Sequence, residues 1–168
     1  MKNEIIYSGA RIVIETVLSS VQNTDADIVL LEAGETNRKS RIIIYINGAK
    51  LEILFIWSRF GFSDDVGICI HFQENSNLLF LGGGSLSAVI NLKTKEILHY
   101  NFPMLFWNWE ILGDHILELG EIECRLYNSV GALVGEAPVD PPYEYKVTNG
   151  VIEFSSIVHG KTCIKFRE

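Results

Sequence analysis

Cysteine is scarce in this chain of 168 residues, which holds three in all. Cys69, Cys124 and Cys163 are odd in number, widely spaced and set inside apolar runs. A disulfide framework needs paired cysteines, so this pattern predicts reduced, buried thiols and argues against a secreted scaffold held together by disulfides.

Long apolar runs and targeting signals are missing as well. The uncharged stretch 75–92 is interrupted by asparagines, serines and three glycines, which argues against a membrane-spanning helix. At the N-terminus, Arg11 and Glu15 fall where a signal peptide would need uninterrupted apolar residues. No Asn-x-Ser/Thr acceptor site occurs either. We therefore expect a soluble, cytoplasmic protein.

The chain does contain enough apolar side chains to build a core. Hydrophobic residues make up 48% of the sequence and charged residues 21%. That balance excludes general disorder, because a chain of this size can bury a substantial apolar interior. The length also fits one folding unit, so we predict that residues 1–168 form a single domain.

Negative charge is concentrated in one segment of an acidic chain whose net charge is −7. Residues 1–109 carry a net charge of −2 and residues 145–168 a net charge of +2. Residues 110–144 hold eight acids against Arg125 alone, a net charge of −7. Such a field repels nucleic acid and anionic membranes and attracts basic partners. We expect no nucleic-acid partner and no membrane partner.

The clearest local pattern is a β-hairpin over residues 41–57. Two apolar runs flank Asn47-Gly48, a pair that suits a type I′ turn because both central residues need positive φ. Lys50 and Glu52 alternate with apolar residues, which gives the second strand an exposed face. The fold class predicted from this and later hairpins is mostly β, an antiparallel, hairpin-rich open sheet or sandwich.

A similar unit recurs further along the chain, in which an apolar strand ends in small residues and a second strand follows. Leu79 and Ile116 are 37 residues apart, and Ile116 and Val151 are 35 apart. This spacing resembles the blade repeat of β-propellers, notably the quinoprotein type. Two or three such units cannot close a ring of at least four blades, so we interpret the repeat as shared hairpin structure in an open sheet or sandwich.

The N-terminal region allows two interpretations. Apolar residues from Ala10 to Val21 recur at helical spacing, which would give one short helix. The many β-branched residues and the lack of a cap favour two strands instead, 4–7 and 10–16, joined at Ser8-Gly9. A further strand is predicted over 27–31 and a polar loop over 35–40.

No motif supports catalysis or metal binding. Cys69 and His71 lie two apart without a second pair nearby, whereas structural zinc usually needs one. The stretch 82–88 lacks both the Gly-x-Ser-x-Gly pattern of hydrolases and the Lys-Ser/Thr of a phosphate loop. Carboxylates at 118, 121 and 123 are interpreted as a solvated face of a strand. We predict no enzyme activity, no metal and no cofactor.

Two segments have the composition of a binding surface. Residues 102–109 are dense in aromatic side chains and directly precede the acidic segment, and Trp107 and Trp109 lie two apart. Both tryptophans could instead be core residues. Residues 135–145 contain three prolines, which stiffen a loop and reduce the entropy that is lost on docking. A simple crossover between strands, with Tyr143 packed inward, explains this loop as well.

The fragments at 117–123 and 140–144 are similar to uncharacterised bacterial proteins of the immunity-protein type. A small, acidic, hairpin-rich domain without catalytic residues resembles the immunity proteins of polymorphic-toxin and contact-dependent inhibition systems. The resemblance implies that the protein binds and neutralises a toxin domain, often a basic nuclease, through acidic residues.

The leading hypothesis is therefore a protein-binding inhibitor that neutralises a cognate, basic toxin domain. The alternatives are a small-ligand or carbohydrate-binding β-domain with aromatic platforms, and a self-associating scaffold. The predicted partner-binding residues are Trp107, Trp109, Glu110, Asp114, Glu118, Glu121, Glu123, Asp140, Tyr143 and Glu144.

Overall fold

A computed structural model describes residues 2–7, 10–18, 25–34, 36, 38–58 and 67–166. Within these ranges almost all regular structure is β-strand, and the one helix is a 3-10 turn at Glu74–Ser76. No helix in these ranges is long and apolar enough to cross a membrane. The strands are β1 Lys2–Ile6, β2 Ala10–Leu18, β3 Ile28–Leu31, β4 Arg38–Ile46, β5 Ala49–Trp57, β6 Cys69–Gln73, β7 Leu78–Gly83, β8 Leu86–Asn91, β9 Glu96–Asn101, β10 Phe106–Leu112, β11 His115–Gly120, β12 Glu123–Tyr127, β13 Leu133–Pro138, β14 Glu144–Thr148, β15 Val151–Ser156 and β16 Gly160–Lys165.

The strands of the described residues form four sheets that follow one another along the chain. The first sheet has the order β1-β2-β4-β5-β3, and its β3–β5 pair is parallel. The second sheet is β6-β7-β8-β9 and the third is β10-β11-β12-β13, both antiparallel meanders. The fourth sheet, β14-β15-β16, has three strands. The predicted mostly-β, hairpin-rich class is confirmed, and the sheets within it number four.

Two-residue Asn-Gly turns set the register of two hairpins. Asn47 and Gly48 join β4 to β5 with φ of 50° and 79°. Asn149 and Gly150 join β14 to β15 with φ of 47° and 72°. These left-handed values are those of a type I′ turn, whose twist matches the twist of the flanking strands. The hairpin predicted over residues 41–57 is confirmed.

Each sheet packs face to face against the next one. The first apolar cluster joins the first and second sheets and includes Phe55 of β5 and Leu81 of β7. The cluster between the second and third sheets includes Phe80 of β7 and Trp109 of β10. The cluster between the third and fourth sheets includes Leu126 of β12. The sheets thus stack in chain order, with one apolar core between each pair of neighbouring sheets.

The second sheet is apolar on both faces, which places it inside the stack. Every residue of β7 is buried, and successive side chains point to opposite faces of a strand. Leu79 and Leu81 pack toward the first sheet, whereas Leu78 and Phe80 pack toward the third. An uninterrupted apolar strand is expected where both faces of a sheet are covered.

Two carboxylates, one in the first sheet's β3–β4 connection and one after β13, are hydrogen-bonded to hairpin turns of the next sheet. The buried carboxylate of Glu32, directly after β3, accepts hydrogen bonds from the backbone N–H and the hydroxyl of Ser85 in the β7–β8 turn. Asp140, after β13, accepts from the backbone N–H groups of Val158 and His159 in the β15–β16 turn at 3.0 and 3.1 Å. One carboxylate therefore fastens the end of a sheet to the following sheet at two of the three junctions.

The N-terminal region resolves in favour of strands. β1 and β2 pair antiparallel from Lys2–Glu15 to Ile6–Arg11, so the helix considered for residues 10–21 does not form over β2. Ser8, Gly9 and residues 19–24 lie outside the described residues. The strand predicted at 27–31 is confirmed as β3. The prediction of a polar loop over 35–40 was wrong for residues 38–40, because β4 already begins at Arg38 and pairs with β2 and β5.

Replacing Gly84 by alanine tests the junction between the first two sheets. A Cβ at this position would lie 2.5 Å from the Ser58 carbonyl oxygen and 2.8 Å from a Glu32 carboxylate oxygen, and its φ is +59°. We expect Gly84→Ala to lower the free energy of unfolding by about 2–4 kcal/mol, measured by urea denaturation. Gly113→Ala is the control, because its φ is +64° and nothing lies within 4 Å. It should cost about 1 kcal/mol, from backbone strain alone. Equal losses in the two variants would contradict the close junction.

Candidate functional site

One end of the molecule carries the described segments that connect the second sheet to the third and the third sheet to the fourth, and we call it the linker end. In the third sheet, Phe106 pairs with Gly120 at this end, whereas Leu112 pairs with His115 at the opposite end. The backbone N–H of Glu121 donates to the carbonyl of Leu105 at 2.8 Å. The linker end therefore gathers segments that are distant in sequence, namely 102–107, 120–123, 139–144 and 157–159.

Two aromatic side chains stack at the linker end. The rings of Trp107 and Tyr143 are parallel to within 2°, with centroids 4.9 Å apart. The Tyr143 hydroxyl donates to the Gly120 carbonyl at 3.0 Å, and burial raises the pKa of this phenol. Trp107 remains 39% exposed. The hydrogen bond from Tyr143 to Gly120 therefore fixes the stacked pair, while part of the Trp107 side chain faces solvent.

Further apolar side chains are exposed at the same end. Phe102 and Met104 lie in the segment between β9 and β10, and Ile122 lies in the turn between β11 and β12. Ile157 and Val158 lie in the β15–β16 turn that Asp140 holds. Large apolar side chains that cluster on a surface mark an interaction site more often than isolated ones do. Glu121 and Glu144 add acidic groups to this surface.

Trp109 does not belong to that surface. It is 6% exposed, packs edge-on against Phe80 at 5.4 Å, and makes a tilted ring contact with Phe106 at 5.2 Å. A β-bulge lies between Phe106 and Asn108, so Trp107 and Trp109 do not share the regular alternation of an unbroken strand. The prediction of Trp109 as a partner-binding residue is corrected, because this side chain fills the core between the second and third sheets.

Glu118 is also inside the molecule. It is fully buried, and its carboxylate accepts hydrogen bonds from the Ser87 hydroxyl at 2.6 Å and the Tyr127 hydroxyl at 2.9 Å. Asn101 donates to the Tyr127 oxygen at 2.7 Å. Interpreting Glu118 as part of a solvated strand face was wrong, because that face is covered by the second sheet. The carboxylate connects β8 to β11 across the core.

Burial raises the pKa of Glu118, and the hydrogen bond from Ser87 and the charge of Arg125 oppose that rise. The Arg125 guanidinium lies 3.7 Å from the Glu118 carboxylate and is paired with Glu123. Burial also raises the pKa of Glu123, again against the effect of Arg125. The only base of the acidic segment is therefore already engaged by carboxylates at the junction between the second and third sheets.

The remaining predicted residues lie at three separate places. Glu121, Tyr143 and Glu144 lie at the linker end together with Trp107, and Asp140 is there but is engaged by the β15–β16 turn. Asp114 lies in the turn at the opposite end and pairs with His115 Nδ1 at 2.7 Å. Glu110 accepts a hydrogen bond from Tyr145 within the junction of the third and fourth sheets. The sequence-adjacent acids therefore do not form one continuous surface.

The described residues offer no metal centre, since no group of three or more His, Cys, Asp or Glu side chains there could hold an ion. The Cys69 thiol donates to Asn108 Oδ1 at 3.1 Å. Burial raises the pKa of this thiol and lowers that of His71, whose ring packs near Phe80 at 6.1 Å. These two side chains therefore serve packing between the second and third sheets.

Three side chains of the linker end were missed by the sequence analysis. Ile122 alternates with two glutamates and was taken for an inward residue, but β11 ends at Gly120 and Ile122 lies exposed in the turn. The sequence analysis assigned no role to Ile157 and Val158. A run of apolar residues next to the glycine of a turn, as in Ile157-Val158-His159-Gly160, is a signal that could have indicated them.

No family model matches this chain, and no curated protein matches it. BamB from Moraxella catarrhalis is a similar solved structure, with 13% identity and a TM-score of 0.38 over 77% of this chain and 40% of that chain. The β-propeller domain of the Trilobed protease from Pyrococcus furiosus is another, with 8% identity and a TM-score of 0.45 over 99% of this chain and 54% of that chain. The chain thus spans about half or less of these structures.

The buried carboxylate gives a pH test. Because the folded-state pKa of Glu118 is raised above its ordinary value, the folded state binds this proton more tightly than the unfolded state. The resulting stabilisation is present below that ordinary pKa and is lost as pH rises through the folded-state pKa. Glu118→Gln, which resembles the protonated acid, should therefore flatten the fall in unfolding free energy as pH rises above 4.5, the ordinary pKa of this carboxyl group.

Urea denaturation across this pH range measures the effect, and Glu144→Gln is the matched control because Glu144 is exposed. That variant should keep the wild-type slope. Parallel slopes for wild type and Glu118→Gln would show that Glu118 does not titrate with a raised pKa.

Proposed function

We propose that this chain is a non-catalytic, protein-binding module that docks a partner at the linker end. The observation that carries the proposal is the Trp107–Tyr143 stack, held by the bond from Tyr143 to Gly120 and left partly open to solvent. Tryptophan and tyrosine are enriched among residues that dominate binding energy, and a ring that is already fixed loses little entropy on docking.

The surroundings of the stack favour a protein partner over a carbohydrate. Phe102, Met104 and Ile122 are exposed at the same end, so this end presents apolar side chains in addition to the stack. A sugar site needs convergent polar groups around its aromatic platform, because sugar hydroxyls must be hydrogen-bonded when they are buried. An apolar centre with acidic groups beside it has the composition of a protein interface.

The acidic groups suggest a basic partner. Glu121 and Glu144 lie beside the apolar surface, and the chain as a whole has a net charge of −7. Complementary charge accelerates association and makes it sensitive to salt. The immunity-protein form of the proposal adds that the partner is a basic toxin domain and that binding takes place in the cytoplasm of a bacterium. The resemblance at 117–123 and 140–144 supports this form.

Trp107→Ala tests whether the Trp107 ring anchors the partner at the linker end. We expect it to weaken binding of the partner by at least about 2 kcal/mol, or roughly thirtyfold in Kd, because the stacked ring supplies buried apolar area at the interface centre. Tyr45→Ala is the control, since Tyr45 is 38% exposed but lies on the outer face of the first sheet beneath Arg11. Partners retained from a lysate of the source organism are quantified by mass spectrometry, and the Kd is then measured with the purified partner.

A partner that is retained by wild type and Tyr45→Ala but lost by Trp107→Ala supports the linker end. If that partner is a nuclease whose cleavage of DNA or RNA stops when the chain is added, the immunity form is supported as well. Retention that is equal for all three proteins contradicts the proposed surface.

Reversing the charge of two acidic residues at the linker end tests whether the partner is basic. The double variant Glu121→Lys and Glu144→Lys should slow association by about tenfold at low salt and leave dissociation nearly unchanged, because charges at the rim of an interface act chiefly on encounter. Glu96→Lys, at an exposed position on β9, is the control and should have little effect. Surface plasmon resonance at two salt concentrations separates the two rates. An unchanged association rate in the double variant would exclude a basic partner at this end.

A further inference from the structure

Trp107 leaves one face of its ring open to solvent. Tyr143 covers the other face, with the two rings parallel to within 2° and their centroids 4.9 Å apart. Trp107 is nevertheless 39% exposed. Because a parallel ring shields the face that it covers, this exposed area belongs mainly to the opposite face and to the edge of the indole. The hydrogen bond from Tyr143 to Gly120 keeps that open face in a fixed orientation.

The charged side chains of the linker-end segments are all acidic. These segments contain four carboxylates and neither lysine nor arginine. Two of the carboxylates are engaged, Glu123 by Arg125 and Asp140 by the β15–β16 turn. The other two, Glu121 and Glu144, form no ion pair with a base of the described residues. The linker end therefore carries negative charge that the described part of the chain does not neutralise.

Glu121 and Glu144 both lie next to the aromatic pair along the backbone. The backbone N–H of Glu121 donates at 2.8 Å to the carbonyl of Leu105, two residues before Trp107. Glu144 directly follows Tyr143. The face of an aromatic ring carries negative partial charge, and neighbouring carboxylates make the local potential more negative. A ring face in these surroundings attracts a cation.

The first sheet contains the same combination with its cation in place. The Arg11 guanidinium lies over the Tyr45 ring, 5.6 Å from its centroid, and Arg11 Nε lies 2.5 Å from Glu4 Oε1. Tyr45 is exposed to the same extent as Trp107. Arg11 thus joins an exposed ring to a carboxylate, whereas no cation of the described residues lies over Trp107. The linker end has the ring and the carboxylates but not the base.

We propose that the open face of Trp107 binds an arginine side chain of the partner, with Glu121 and Glu144 supplying the opposite charge. This inference rests on the proposed function of the linker end and names the group that the partner places there. Arginine fits better than lysine, because its planar guanidinium stacks on aromatic faces, is weakly hydrated and bonds a carboxylate through two parallel N–H groups.

Three glycine–serine peptides of seven residues test the site, with arginine, lysine or citrulline at the central position. Citrulline keeps the shape and the planar head of arginine but has no charge. We expect the arginine peptide to bind about two- to thirtyfold more tightly than the citrulline peptide, with the lysine peptide between them. Titration by NMR, followed on the indole N–H signals of the three tryptophans, measures the affinities and shows which ring is contacted.

Variants separate the ring from the carboxylates. Trp107→Leu should remove the preference for arginine over citrulline, since leucine is apolar but has no ring face. Tyr45→Leu is the matched control and should keep the preference, because Arg11 already occupies the Tyr45 ring. The double variant Glu121→Gln and Glu144→Gln should reduce both the preference and its sensitivity to salt. Backbone amide signals of residues 105–107 report binding to the variants.

Several outcomes would overturn the proposal. No measurable binding, equal affinity for the arginine and citrulline peptides, or shifts confined to the other two tryptophans would each exclude arginine on Trp107. A preference for arginine that survives in Trp107→Leu would show that the carboxylates act without the ring. Failure of these kinds leaves the linker-end proposal intact, because a partner that covers Trp107 with an apolar side chain is still lost by Trp107→Ala.

Discussion

Apolar character on both faces of the second sheet is the constraint on which the rest of the structure depends. A strand such as β7, buried along its whole length, is stable only when another layer covers each face of its sheet. The first sheet covers one face through Phe55, and the third covers the other through Trp109. The third sheet then needs a cover for its own far face, which Phe154 and Ile164 of the fourth sheet supply. The four sheets thus stack in chain order.

The stack also determines where a binding surface can form. Two described segments, 102–105 after β9 and 139–143 after β13, each lead from one sheet to the next and are held by a turn of that next sheet. The segment after β9 is fixed by the bond between Leu105 and Glu121, and the segment after β13 by Asp140. In the segment after β9, Phe102 and Met104 stay exposed although the backbone is fixed. Rigid backbone with exposed aromatic side chains is what a preorganised interface requires.

Local patterns in the sequence predicted the strands well. Both Asn-Gly hairpins follow from turn chemistry, since positive φ at two successive residues limits the choice of residues. The recurrence of Leu79, Ile116 and Val151 was also real, because β7, β11 and β15 are each the second strand of a sheet. Local patterns do not show which sheet covers which face of its neighbour. A uniformly buried strand such as β7 has no alternation of apolar and polar residues that would indicate its faces.

The same limit explains the errors at the candidate site. Glu118 alternates with apolar residues as a solvent-facing side chain would, yet Ser87, thirty-one residues away, supplies a buried partner for it. The β-bulge that separates the environments of Trp107 and Trp109 has no signature in the sequence. Sequence adjacency also grouped Asp114 with the acids of the linker end, although the six residues of β11 separate Asp114 from Glu121. The sequence gives the number of acidic residues in each segment, but which of them lie together on the surface depends on how the sheets pack.

Hydrogen–deuterium exchange of the free chain and of its complex with the retained partner tests the central claim most directly, because it reports where the partner docks without any substitution. Docking at the linker end predicts slower exchange in residues 102–107, 120–123 and 141–144, with the turns at 113–114 and 128–131 of the opposite end unchanged. Protection at the opposite end, with exchange at the linker end unaltered, would contradict the account.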